Sequence, residues 1–68
     1  MIEIVVRESS FKNSKILITF YSNTIPRIGE LIYFPHFGKF RVFEVIHHIS
    51  DDSENNKCMW IELEVWKS

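Results

Sequence analysis

The stretch from Thr24 to Ile49, TIPRIGELIYFPHFGKFRVFEVIHHI, limits what this chain can fold into more than any other part of it. Pro26 fixes one backbone angle and Gly29 permits a positive one, so the residues between them read as a tight loop that delivers Leu31 to Phe34 into a short strand. Pro35 stops that strand, and Phe37-Gly38-Lys39 turns the chain back. Phe40 to Ile49 is then a strand long enough to bend across a small barrel. Its alternation changes midway, because Phe40 and Val42 share one face while Val45 falls on the other. A bulge at Phe43-Glu44 restores the register.

The flanking segments follow the same period of two. Ile2, Ile4 and Val6 alternate with Glu3, Val5 and Arg7, and Ile16, Ile18 and Phe20 alternate with Lys15, Leu17, Thr19 and Tyr21. From Cys58 to Lys67, Met59, Ile61, Leu63 and Val65 alternate with Trp60, Glu62, Glu64 and Trp66. Glu8 to Ser14 reads as a polar connection, and Ser50 to Lys57, with neither Gly nor Pro, as a mobile hairpin loop. Alanine and glutamine are absent, and β-branched and aromatic residues crowd the segments between turns, so strand propensity is favoured throughout. The expectation is an all-β chain: a small, five-stranded, partly open antiparallel barrel. The long bent strand after a Pro-x-x-Gly turn favours an SH3-like over an OB-like arrangement.

The order of residues here resembles that of small uncharacterised phage and bacterial β-barrel proteins. In these a Pro-x-Ile-Gly-acid turn precedes an aromatic-x-Val-x-x-Val strand, matched by Pro26, Ile28, Gly29 and Glu30 and then by Phe40, Val42 and Val45. The resemblance covers about the middle third of the chain and departs from the pattern in having Phe, not Tyr, at the first strand position. It implies a barrel and a phage or mobile-element origin, and it transfers no functional residue.

At 68 residues the chain is a single domain, residues 1–68. A compact chain of this size hides only about 60% of its unfolded surface. With 46% hydrophobic and 15% aromatic residues, some apolar side chains must stay outside. Inward-facing Ile16, Ile18, Phe20, Ile61, Leu63 and Val65 would leave Leu17, Tyr21, Trp60 and Trp66 on the outer face. That quartet is the expected interface of a homo-oligomer or with a partner, since contiguous exposed apolar patches mark contacts. At one barrel end Arg27, Tyr33, His36, Phe37, Lys39 and Arg41 combine cations with rings. They are the expected ligand site for a nucleotide-like small molecule, with phosphate on a guanidinium and base on a ring.

Other classes are disfavoured by chemistry. Eight basic residues against nine acidic ones, a net charge of −1, provide no phosphate-binding footprint, so generic nucleic acid is not an expected partner. His47 and His48 are adjacent on a strand and face opposite sides, so no metal site is expected, and no cofactor motif is present. Cys58 has no identifiable base, Asp51, Asp52 and Glu54 share a solvated loop, and Glu30 is expected to bond to amides of its own loop. No catalytic residue is assigned, and an enzyme is not expected. Without a basic start leading into an apolar run, a cytoplasmic location is expected, the host cytoplasm for a phage chain, and no membrane association. The composite expectation is a non-enzymatic binding protein that inhibits a host factor by masking a protein surface or by sequestering a nucleotide-derived signal. A nucleic-acid-binding barrel and a structural subunit of a larger particle are the alternatives.

Overall fold

The computed structural model describes residues 1–9, 14–50 and 58–68, with the backbone alone at 58 and 59. The alternating segments form five strands: β1 (Ile2–Ser9), β2 (Ser14–Ser22), β3 (Leu31–Phe34), β4 (Gly38–Ile49) and β5 (Cys58–Lys67). All five belong to one sheet in the order β2-β1-β5-β4-β3. The polar connection at 10–13, the loop acids Asp51, Asp52 and Glu54, and the Cys58 side chain lie outside the described residues. Among the described residues no helix is long and apolar enough to cross a membrane.

Three of the strand pairings are antiparallel, but β1 and β5 run parallel, so the sheet is mixed where a wholly antiparallel one was expected. The reason is arithmetic of direction. A chain that reverses at every connection leaves its first, third and fifth strands pointing the same way, and the sheet order sets the first beside the fifth.

The inner face carries the core. Ile4 and Val6 of β1, Phe40 and Val42 of β4, and Ile61, Leu63 and Val65 of β5 are all buried. Each such side chain contributes about 1.5–3 kcal/mol by leaving water. Ile18 and Phe20 of β2 and Ile32 and Phe34 of β3 pack against them from the two ends of the sheet. The result is an open half-barrel. No Cα of β2 comes within 8 Å of one in β3, yet Phe20 meets Phe34 edge-on at 6.4 Å, and Phe34 meets Phe40 at 6.1 Å. Aromatic rings, not hydrogen bonds, bridge the gap between the edge strands.

Two of the register shifts in the sheet decide which core residues face in. In β4 the register shifts between Val42 and Glu44, as the broken alternation requires, and Val45 returns to the core. In β2 the register shifts opposite Val6/Arg7: Val6 pairs with Ile18 and Arg7 with Ile16, which leaves Leu17 as the extra residue. Leu17, expected on the outer face, therefore packs against the core, and Ile16, expected inside, is 54% exposed. The run Ile16-Leu17-Ile18 is apolar in either parity, so the sequence pattern does not mark this slip.

The Pro-Gly loop is built as anticipated. Glu30 N–H donates to the Arg27 carbonyl at 3.1 Å, closing a turn whose third residue, Gly29, has φ +93°. That is the type II geometry. Gly29 N–H donates to the Val42 carbonyl at 2.8 Å, and Val42 N–H donates to the Glu30 carbonyl at 3.0 Å. Two residues thus oppose one, a glycine bulge that welds the turn to β4 just before Phe43.

Candidate functional site

The strongest candidate surface begins at the free edge of β3. Pairing of Leu31 with Arg41 and of Arg41 with Trp66 puts these three side chains in one row on the outer face. Leu31 is 52% exposed, Trp66 51%, and Tyr33, two residues along β3 on the same face, 64%. Phe43, turned outward by its bulge, stacks on Trp66 with centroids 4.7 Å apart. The Arg41 guanidinium does not lie free among them: its Nη1 donates to the Gly29 carbonyl at 2.6 Å and ties β4 to the loop.

Beside this patch a groove of about 750 Å³ opens widely to solvent, lined by Thr24, Pro26, Arg27 and Glu30 of the loop and by Leu31 and Tyr33 of β3. Glu30 is occupied, since its Oε1 accepts the Arg27 N–H at 2.6 Å, as its place in the loop suggests. The Arg27 guanidinium has no ion-pair partner among the described residues. A second shallow concavity lies on the other side of Pro26 and Arg27, against Val45 and His47.

Of the six residues expected at the barrel end, Arg27 and Tyr33 line this groove together. Arg41 is held against the loop backbone. His36 and Phe37 sit in the β3–β4 turn, where Phe37 N–H donates to the Phe34 carbonyl at 2.9 Å, and Lys39 pairs across from Tyr33. These three are not among the groove's walls.

The expected outer interface is divided. Carrying the β1–β5 register one residue beyond Ile4↔Ile61 sets Glu3, and with it Tyr21, level with Trp60. Trp66 lies six residues further along β5, about 20 Å away at the rise of a strand. Trp60 is half-buried with His48 stacked on it at 3.6 Å, while Tyr21 is exposed.

Between the two aromatic ends runs a polar network that the pattern of the sequence did not reveal. Glu62 accepts from Arg7 Nε at 3.2 Å on one oxygen and pairs with His48 Nε2 at 3.1 Å on the other. Glu64 lies opposite both Arg7 of β1 and Glu44 of β4. Its Oε2 is sealed from solvent and has no hydrogen-bond partner among the described residues. Burial, and then the repulsion of Glu62 and a hydrogen bond to it, hold the Glu64 carboxyl above its ordinary range; Arg7 opposes this and Glu44 adds to it. The alternation did flag Glu62 and Glu64 on the outer face, but their partners come from strands that only the sheet order makes neighbours. His47 and His48 take opposite faces, His47 at the second concavity and His48 on Glu62.

No protein-family model matches this chain, and no curated protein or solved structure matches it either.

Proposed function

We propose that this chain is a non-enzymatic binding protein that works by covering a surface of another protein with the patch formed by Leu31, Tyr33, Phe43 and Trp66. The observation that carries the reading is the adjacency of three large side chains, each more than half exposed, at the end of the sheet where the edge of β3 is also free. Apolar area of this kind is costly to leave wet, and aromatic anchors dominate protein contacts. Masking of a host factor by a phage-encoded chain is the biological form of this proposal, and self-association through the same patch is its simplest variant.

The test is retention. The native chain, immobilised, should retain a protein from a lysate of its source that a Leu31→Ser/Trp66→Ser variant does not, with sedimentation of the purified chain deciding whether the partner is a second copy. Equal retention by native and variant protein, with both monomeric at high micromolar concentration, sinks the proposal.

A second reading, capture of a phosphorylated small molecule, is favoured by the presence of Arg27 and Tyr33 in one groove. A nucleotide that binds only the folded state raises the melting temperature, and Arg27→Ala should abolish that rise.

A further inference from the structure

The hydrogen bonding of β3 determines which of its backbone groups are spoken for. Val42 N–H bonds to the Glu30 carbonyl, so Glu30 faces β4. In an antiparallel pair the bonded positions alternate. Ile32 and Phe34 therefore also direct their N–H and C=O groups to β4, in register with Phe40 and Gly38. Leu31 and Tyr33 direct theirs the other way, to the free edge, since β3 ends the sheet. The side chains of these same two residues are the exposed ones, and both line the groove that Arg27 also lines.

A free edge with a walled groove beside it is the template for an added strand. We infer that the β3 edge takes up an extended segment of a different protein, antiparallel or parallel to β3, that carries an acidic side chain where it passes Arg27. The edge offers two N–H and two C=O groups at alternate residues, the spacing that one extended segment satisfies. Leu31 and Tyr33 supply apolar flanks on the outer face, and Arg27 supplies a cation with no ion-pair partner among the described residues.

Charge argues against a second copy as the occupant. Among the described residues the only other free edge of this sheet is β2, and neither Ser14–Ser22 nor Leu31–Phe34 contains an Asp or Glu to meet Arg27. The acids of the sheet, Glu3, Glu8, Glu44, Glu62 and Glu64, are all on β1, β4 and β5, which are paired on both sides. The inference deepens the protein-binding reading above by naming the edge and the partner's chemistry.

The probe is a displayed library of random linear decapeptides selected on the immobilised chain, followed by titration of one enriched synthetic peptide into nitrogen-15-labelled protein. The expected result is an acidic residue at a fixed place among alternating apolar ones, with hydrogen exchange slowed at the Leu31 and Tyr33 amides and unchanged at Ile32. Arg27→Ala should weaken the peptide by about tenfold or more, the scale of a charge-assisted contact. Tyr33→Pro should abolish binding while leaving the β4 ladder intact, because proline is tolerated where the lost N–H faces an open edge. A peptide N-methylated at the residues that face β3 should fail to bind the native chain, and one methylated at the intervening residues should bind, which tests the edge without altering the protein. No enrichment over background overturns the inference. So does a peptide that shifts Phe43 and Trp66 while leaving the Leu31 and Tyr33 amides unprotected, an outcome that keeps the outer-patch reading. Protection of those amides by the protein's own concentration, with no peptide present, assigns the edge to a second copy and overturns it as well.

Discussion

Phe43 stacks on Trp66 with ring planes inclined by only 15°, and the bulge in β4 is what allows it. The extra residue lets Val42 and Val45 both reach the core while Phe43 turns outward onto a strand two positions from the C-terminal end of the chain. Aromatic pairs contribute about 0.5–1.5 kcal/mol beyond their burial. Phe43→Ala should cost about 1 kcal/mol, a fall of roughly 4–8 °C in melting temperature for a domain of this size, read by circular dichroism. Deleting Phe43 should leave β4 able to fold, because Val42, Glu44 and Val45 would then alternate regularly opposite Val65, Glu64 and Leu63, with only the stack on Trp66 lost. A deletion variant that fails to fold refutes this account of the bulge.

Gly29 has φ +93°, and a Cβ built there meets no atom within 4 Å. The cost of a side chain is therefore backbone strain alone. Gly29→Ala should destabilise by about 1–2 kcal/mol, and Gly29→Asn by less, since Asn visits this region more readily. Denaturant unfolding of the two variants checks the order; equal losses mean that the turn has relaxed to another type.

Glu64 makes stability depend on pH in an unusual direction. Its carboxyl is held above the ordinary value of 4.5, so between that value and its folded one the folded state binds more protons than the unfolded state. Stability then falls as pH rises through this window, and the Glu64 contribution is most favourable below it. Glu64→Gln, which places a neutral donor beside Glu62, should raise the melting temperature at pH 7 and lose its advantage as pH falls below the carboxylate range. An advantage that is independent of pH would locate the effect elsewhere.

Generic DNA or RNA should not bind at physiological salt. Of the eight basic residues, Arg7 is paired with Glu62 and Arg41 with the Gly29 carbonyl, and the remaining six are outweighed by the nine acidic residues of the chain. Filter-binding titration decides it: micromolar affinity with a steep salt slope would point to a nucleic-acid barrel instead.

The strands were legible because their cause is local. Leu31–Phe34 and Cys58–Lys67 begin and end where Pro, Gly and polar runs interrupt the alternation, and the broken parity between Val42 and Val45 located a bulge before any partner strand was known. Arg27 and Glu30 were legible as loop residues and Tyr33 as a strand residue for the same reason. The bulge at Leu17 was not, because three consecutive apolar residues satisfy either face.

By itself the sequence determined that this is an all-β chain and where its Pro-Gly turn and the bulge of β4 fall. Those properties follow from steric preferences of single residues and from a two-residue period, and neither needs a neighbour more than a few positions away. Only the tertiary structure decided that β1 lies parallel to β5, that Phe20 and Phe34 close the gap between the edge strands, and that Arg7 and His48 share Glu62. It also decided that Arg41 holds the loop while Arg27 is left at the groove. Such contacts join residues far apart in the chain, and their register is chosen by the packing of the whole inner face at once.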